Sequence, residues 1–305
     1  MKKYTIPGLK LGSTSFLLHA DYVSAVRFTA ERCEDVALLL LETGPADEWL
    51  ISPREVDETA RILDGEGASL HVHLPVDAHF ETEKDTAAML SKVRAAIERT
   101  APLQPHSFVL HVSFPSLAGT GRLPSAGQFQ RTARALRTLQ NLPETPEQLA
   151  IENLEGYPVS FWDGWLEGSP LSRCLDAGHI WKDGRNPAPV LEDWFARIRL
   201  VHLHGLDVYP PLGKKPHDHR SLRAMPPEAL DAVMHPLWNR NFAGVVNLEV
   251  FTPEDLAASH EALLGSWERL SGKPASGTRD TASPARPAPE GHEPAKEPGT
   301  DPNKP

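Results

Sequence analysis

Histidine and acidic residues recur in this sequence where short apolar segments end. Eight of the 14 histidines lie at or close after such segment ends. With the acidic residues at these positions, the full set is Glu42, His71, His73, His111, Glu152, Asp176, His179, His202, His204, His217, Asp218, His219 and Glu249. Imidazole and carboxylate groups together are ligands for zinc, iron or manganese. One histidine at such a position is more often structural than a ligand. The repetition predicts a metal centre, provided that the fold brings the segment ends to one place.

Close spacing within this set adds geometric detail. Side chains alternate between the two faces of a strand, so each of two pairs shares one face, namely His71 with His73 and His202 with His204. We expect one member of each pair to bind metal and the other to support it. In the motif Asp176-Ala177-Gly178-His179, the glycine permits a sharp turn that returns His179 to the same metal as Asp176.

The apolar segments alternate with amphipathic stretches along the chain. The segments lie near Leu11 and Leu110 and end at Glu42, Pro75, Asn153, Gly178, Gly205 and Phe251. The amphipathic stretches are 21–32, 52–65, 83–100, 126–140, 189–197, 226–240 and 253–270, and several open with helix caps. Mostly apolar strands that alternate with helices predict a parallel sheet covered on both faces. Eight such units predict a (β/α)8 TIM barrel over residues 1–271, with its site at the carboxyl ends of the strands.

An open, doubly wound sheet is the alternative architecture. It lacks its main sequence feature here, because no GxGxxG motif follows the first strand. Beyond the barrel, residues 272–305 are rich in proline and carry no aliphatic side chain larger than alanine. Such a segment buries too little apolar surface to offset the entropy of ordering it. We therefore expect a disordered tail.

Composition excludes several classes of protein. Hydrophobic residues make up 40% of the chain and charged residues 24%, and no apolar run reaches the roughly 18 to 20 residues of a membrane-spanning helix. The amino terminus lacks the apolar stretch of a secretory signal, and Cys33 and Cys174 show no CxxC spacing, which fits a reducing cytoplasm. The net charge of -10 without a basic stripe argues against nucleic acid as a partner.

The motifs HVHLP, VLHVS, IENLEG, LDAGH, VHLHG, HDH and NLEVF together resemble the xylose isomerase-like barrel superfamily over residues 8–270. Within it, LGSTSF, IENLEGYP, CLDAGHIW and DHRSL are similar to the cobamide-remodelling phosphodiesterases, which hydrolyse the nucleotide-loop phosphodiester of cobalamin-type corrinoids. The resemblance implies a divalent metal, zinc or manganese, and the ligands His73, His111, Glu152, Asp176, His179, His202, His219 and Glu249. Endonuclease-IV-like members have Asp-x-His where this chain has His217-Asp218-His219. Asparagine is common in the family at the position of His204 in this chain.

The resemblance implies a hydrolase acting on a phosphodiester bond, with a cobamide as its small-molecule partner. Glu152 or Glu249 would orient or deprotonate the attacking water, and His179 or His219 would protonate the leaving oxygen. We expect four substrate-binding residues in the loops, two aromatic and two basic: Trp162, Trp181, Lys215 and Arg220. The oligomeric state is open.

Three other functions compete with hydrolysis. A sugar or sugar-phosphate isomerase or epimerase would use the metal for proton transfer beside a carbonyl group, and such enzymes usually have carboxylate-rich sites with fewer histidines. A DNA-repair endonuclease fits poorly with an acidic protein. A metal-free binding barrel would not need so many ligand-type residues at its strand ends.

Overall fold

Eight parallel strands form a closed barrel in chain order, β1 to β8, in a computed structural model that describes residues 3–40, 49–76, 79–207 and 216–274. The strands are Lys10–Thr14 (β1), Asp35–Leu39 (β2), Ser69–His73 (β3), Phe108–His111 (β4), Leu149–Glu152 (β5), Ser172–Asp176 (β6), Ile198–Leu203 (β7) and Val245–Leu248 (β8). Strand β1 pairs with both β2 and β8, which closes the sheet. The prediction of a TIM barrel is confirmed.

Helices follow the strands and cover the outside of the barrel. They are Tyr22–Ala30 (α1), Pro53–Glu66 (α2), Glu83–Thr100 (α3), Ala126–Leu139 (α4), Asp163–Leu166 (α5), Ala177–Lys182 (α6), Ala188–Trp194 (α7), Pro227–Asn239 (α8) and Pro253–Ser271 (α9). Helices α2 and α3 begin with reciprocal capping boxes, Ser52 with Glu55 and Thr82 with Asp85. The caps explain why these two helices start where the sequence predicts them.

The sixth strand passes directly into a short helix. Strand β6 stops at Asp176, and the chain enters α6 at Ala177 without an intervening loop. The Asp176 carboxylate accepts a hydrogen bond of 2.6 Å from the backbone N–H of His179, which caps the new helix. The helices α5 and α6 are each too short to show a helical period in the sequence, so neither is among the predicted amphipathic stretches.

Inward-facing side chains divide the barrel interior into an apolar floor and a polar upper part. The floor is a buried cluster of Val109, Ala150, Cys174, Leu200 and Val245. Because side chains alternate along a strand, the next inward positions on β4 to β8 lie two residues on, toward the carboxyl ends. On β4 to β7 these positions hold predicted site residues, such as His111, Glu152 and Asp176, whereas on β8 the position is Asn247.

The predicted boundary between barrel and tail coincides with the end of α9. This helix ends at Ser271, and Gly272 caps it with a positive φ of 65°. Residues 275–305 of the predicted tail, together with Glu42 and Lys215, lie outside the described residues. Within the described ranges, no helix combines the length and the apolar character needed to cross a bilayer.

Candidate metal centre

Four buried side chains meet at the carboxyl end of the barrel. Glu152 and Asp176 are the last residues of β5 and β6, His202 lies in β7, and Glu249 directly follows β8. One ligand atom from each of these four residues lies within 4.8 Å of those of the other three. The barrel therefore brings together four residues that are up to 97 positions apart, from 152 to 249 in the sequence. We call Glu152, Asp176, His202 and Glu249 the four-residue group.

The four-residue group has more acceptor atoms than donors. Nδ1 of His202 lies 3.1 Å from Oε1 of Glu152 and 3.0 Å from Oε2 of Glu249. It is hydrogen-bonded to Glu152, and Oε2 of Glu249 and Oδ2 of Asp176 have no hydrogen-bond partner among the described residues. Leaving buried carboxylate oxygens unpaired is costly. A divalent cation would satisfy both atoms, so this donor set fits a metal ion.

Electrostatics keep the carboxylates of Glu152 and Glu249 ionised. Burial alone would raise the pKa of Glu152 and Glu249, but His202 and neighbouring imidazoles lower both pKa values well below the usual range. Burial likewise opposes a charged His202, yet Cys174, Glu152 and Glu249 raise its pKa well above the usual value. The ionised carboxylates thus attract positive charge, and a divalent metal ion would supply that charge.

Two more predicted ligands approach Glu152 from the other side. Nε2 of His73 lies 3.2 Å and Nε2 of His111 lies 2.9 Å from the same oxygen, Oε2 of Glu152. His73, Glu152 and His202 form a second possible ligand group. This second group shares Glu152 and His202 with the four-residue group and therefore extends it. Glu152 contacts ligands of both groups.

Three more predicted site histidines, His179, His204 and His219, form a cluster. It adjoins the four-residue group, because Nε2 of His204 lies 3.3 Å from Oδ1 of Asp176. The rings of His204 and His219 stack with centroids 4.3 Å apart, and the backbone N–H of His219 donates to Nδ1 of His204 at 3.1 Å. Gly178 lies against this cluster, since a Cβ atom there would be 2.2 Å from the His204 ring. Close packing against His204, rather than a sharp turn, is therefore the reason for glycine in the Asp-Ala-Gly-His motif.

His179 is held by contacts that the sequence pattern does not predict. Its Nδ1 lies 2.9 Å from the carbonyl oxygen of Asn153, and its Nε2 lies 3.3 Å from Oε2 of Glu155. Burial lowers the pKa of His179, but Asp176, Glu152 and Glu155 raise it to about 9. Glu155 is also paired with Lys182 at 2.8 Å. The sequence contains Glu155 within the motif IENLEG, three residues after Glu152.

The predicted substrate-binding residues occupy different environments. Trp162 is 1% exposed and its indole N–H donates to the carbonyl oxygen of Val112, so its ring belongs to the core and offers no face to a ligand. Trp181 is half-buried. Arg220 is exposed and lies 3.3 Å from Asp207. Lys215 lies outside the described residues.

The loop motif His217-Asp218-His219 contributes one residue to the histidine cluster. His219 adopts a positive φ of 52° and its Nδ1 lies 3.0 Å from the carbonyl oxygen of Glu249. His217 is exposed, while Asp218 pairs with Lys182. The loop therefore presents a single imidazole to the site.

A further buried polar cluster lies at the opposite end of the barrel. Asp35, the first residue of β2, contacts Nδ1 of His71 at 2.5 Å and Nε2 of His106 at 2.8 Å. Burial would raise the pKa of Asp35, but His71 and His106 lower it below the usual range. Neither Asp35 nor His106 follows a strand, so a search restricted to strand ends misses both.

Known proteins resemble this chain in fold and in family. The family model described as the xylose isomerase-like TIM barrel matches residues 33–267. A D-tagatose 3-epimerase-like protein has a TM-score of 0.67 at 18% identity, covering 87% of this chain and 99% of its own. A xylose isomerase domain protein from Planctomyces limnophilus has a TM-score of 0.67 at 13% identity, covering 90% and 100%. No curated protein matches this chain in sequence.

A third similar structure is the D-psicose 3-epimerase with D-tagatose from Clostridium cellulolyticum H10. Its TM-score is 0.63 at 14% identity, and the match covers 86% of this chain and 99% of that protein. At these identities the likeness establishes the fold. The resemblance to cobamide-remodelling phosphodiesterases receives no support from these matches.

The prediction of a phosphodiester hydrolase is wrong. Several similar structures are named as sugar epimerases, and the geometry explains the error. The histidines were expected to form one site, whereas the four-residue group contains one histidine and three carboxylates. The superfamily assignment is confirmed, because the family model covers more than half of the sequence. The chain belongs to the xylose isomerase-like TIM barrel family.

Proposed function

We propose that this protein is a metal-dependent isomerase or epimerase that acts on a sugar or sugar phosphate. The observation that carries the proposal is the buried four-residue group, with its three carboxylates, one imidazole and unpaired carboxylate oxygens. The epimerase names of similar structures support the same reaction class. The reaction is proton transfer at a carbon beside a carbonyl group.

The four-residue group would hold the metal. A majority of carboxylate oxygens suits manganese better than zinc, which takes imidazole and thiolate more readily. When bound, the ion polarises the carbonyl and hydroxyl oxygens of the substrate and thereby acidifies the adjacent C–H bond. Of the other predicted ligands, His73 and His111 would support Glu152, while His179 and His219 would border the site through the histidine cluster.

Glu249 and Glu152 are the proposed proton-transfer groups. Burial would raise the pKa of Glu249, but His202 lowers it, so the carboxylate is ionised and can accept the proton. Glu152 approaches from β5, and its Oε2 lies against the imidazoles of His73 and His111. Burial would lower the pKa of His73, but Glu152 raises it. His73 can therefore supply the proton that Glu152 returns to the substrate, which an epimerisation requires on the opposite face.

His179 is the proposed contact for a substrate oxygen. Its Nδ1 is fixed by the Asn153 carbonyl, which leaves Nε2 directed at Glu155. Glu155 is 39% exposed, so a sugar hydroxyl can reach this pair from solvent. Trp181 and Arg220 remain the proposed contacts for the rest of the substrate. Lys182 is engaged by Glu155 and Asp218 and is not a free phosphate ligand.

Hydrogen exchange in D2O tests the proposal across a panel of sugars. Metal-depleted protein reloaded with Mn²⁺ is incubated with ketopentoses, ketohexoses and their phosphates, and deuterium entry beside the carbonyl is followed by mass spectrometry after the metal is removed. We expect exchange with at least one sugar, and loss of two or more orders of magnitude in rate for Glu249→Gln, because general base catalysis contributes about 10² to 10⁴. Glu254→Gln, at an exposed glutamate of α9, is the matched control.

Two outcomes would contradict the proposal. One is the absence of exchange with every sugar tested when Mn²⁺, Mg²⁺, Co²⁺ and Zn²⁺ are each supplied. The other is exchange that survives Glu249→Gln unchanged, since the proton would then be taken by another group.

A further inference from the structure

A polar chain lies beneath the four-residue group, inside the barrel. Asp35 and His71 are both fully buried, and their side chains are joined by a contact of 2.5 Å between Oδ1 and Nδ1. His71 is the third residue of β3, and its ring centroid lies 6.0 Å from that of His202 with an interplanar angle of 37°. The pair therefore adjoins the only histidine of the four-residue group.

The contacts around Asp35 are those of a hydrogen-bonded carboxylate. Its other oxygen, Oδ2, accepts from Nε2 of His106 at 2.8 Å and from the hydroxyl of Ser69. Ligands of one metal ion at bond lengths of about 2.0 to 2.2 Å lie roughly 3 Å or more apart, which is wider than these contacts. Asp35, His71 and His106 thus form a hydrogen-bonded cluster rather than a second metal site.

The carboxylate fixes the tautomer of His71. An ionised carboxylate can only accept hydrogen bonds, so Nδ1 of His71 carries the proton and Nε2 carries a lone pair. This Nε2 is buried and has no hydrogen-bond partner in the described part of the chain. A buried acceptor without a donor is costly, so a donor has to be found among its neighbours.

His202 offers the matching donor. Its Nδ1 faces the carboxylates of Glu152 and Glu249. If His202 held a metal through this atom, its proton would be on Nε2. The Nε2 atom of His202 is likewise buried without a hydrogen-bond partner within the described ranges. A donor and an acceptor thus belong to neighbouring rings, whose centroids are 6.0 Å apart.

We propose that Asp35 and His71 are positioning residues that hold His202 in the tautomer that binds metal. The inference rests on the proposed metal centre, and it assigns a role to two residues at the closed end of the barrel. Histidine ligands commonly donate their second N–H to such a partner, and loss of that partner weakens metal binding about 10- to 100-fold. Replacing Asp35 with asparagine removes the charge that holds the proton on Nδ1 of His71 and leaves one acceptor oxygen for the donors His71, His106 and Ser69.

Calorimetric titration of metal-free protein with Mn²⁺ tests the inference independently of turnover. We expect Asp35→Asn and His71→Phe each to raise the dissociation constant about 10- to 100-fold, and His106→Gln to leave it unchanged. The control keeps an N–H donor for the same carboxylate but has no contact with His202. Melting curves of the metal-free variants identify any that fail to fold.

Nitrogen NMR of the unaltered protein provides a second measurement that needs no stable variant. In ¹⁵N-histidine-labelled, metal-free protein we expect His71 as the Nδ1–H tautomer, its signals assigned by their loss in His71→Gln. The Nε2–H tautomer would overturn the inference, as would Mn²⁺ affinity that Asp35→Asn and His71→Phe leave unchanged in folded protein. Loss of one bound equivalent in His106→Gln would also overturn it, by revealing a metal at Asp35.

These outcomes separate this inference from the proposed function. Wild-type protein that binds Mn²⁺ and exchanges sugar protons, with no effect of Asp35→Asn, overturns the positioning role alone. Wild-type protein that binds none of the divalent metals overturns both.

Discussion

Substitution of Gly178 by alanine tests the packing between α6 and the histidine cluster. The added Cβ would lie 2.2 Å from Cε1 and Nε2 of His204 and 2.5 Å from its Nδ1. His204 is fully buried and stacks on His219, so it cannot move without displacing a second ring. Overpacking of this kind costs about 1 to 3 kcal/mol. Alanine returns less than about 1 kcal/mol through its higher helix propensity, so the net effect is destabilising.

The assay is urea denaturation of metal-free protein, compared with Gly65→Ala as the matched control. Gly65 is also a helical glycine, in α2, and an added Cβ there would meet no atom within 4 Å. We expect Gly65→Ala to raise the free energy of unfolding by up to about 1 kcal/mol, and Gly178→Ala to lower it by about 1 to 2 kcal/mol. Equal effects of the two substitutions would refute the close approach of His204 to α6.

Three further predictions concern the core, the thiols and the surface. Trp162→Ala should lower the free energy of unfolding by about 3 to 5 kcal/mol, because its ring is buried. Trp181 is half-buried, so Trp181→Ala should mainly weaken substrate binding. Melting curves would show the first effect and Michaelis constants the second. Burial raises the pKa of Cys33 and Cys174 to about 12. Ellman's reagent at pH 8 should therefore label neither thiol until urea unfolds the protein. Fast labelling of the native protein would contradict the burial of these thiols. Burial would raise the pKa of Asp231, but bonds from Arg269 and Ser266 lower it. Its contribution to stability, about 1 kcal/mol at this partly exposed pair, is therefore present above the unfolded pKa of about 3.9 and lost as the pH falls through the folded value. Asp231→Asn should destabilise the protein at pH 7, and urea denaturation should show this effect shrinking as the pH falls through the folded value.

The alternation of strands and helices was sufficient to predict the barrel and to place its strand ends within a few residues. It placed Glu152, Asp176 and His202 at one rim because parallel strands in a barrel must end there. It could not divide the rim into separate groups, since the distance across a barrel depends on strand stagger, which the sequence does not state. The pairing of His202 with Glu152 and Glu249, and of His204 with His219, appeared only in the structure.

Loop residues were the least predictable part of the site. Trp162 and Trp181 are both aromatic residues that were expected in loops after strands, but one is buried in the core and the other is half-buried. Loops lack a period that would tell which face of a residue meets solvent. Asp35 and His106 were missed for a related reason, because their contact joins the start of β2 to the segment before β4, 71 residues along the chain.

Charge balance explains why a histidine-rich rim surrounds the carboxylate-rich four-residue group, which is the proposed metal site. Glu152, Asp176 and Glu249 bring three carboxylates into a buried site, and a single divalent ion offsets two of their charges. In the metal-free protein the imidazoles compensate for them, which is why the pKa values of His73, His202 and His204 are raised against the effect of burial. Metal binding should therefore release protons from these imidazoles. The surrounding histidines accordingly act as a reservoir of positive charge, and they need not themselves be ligands.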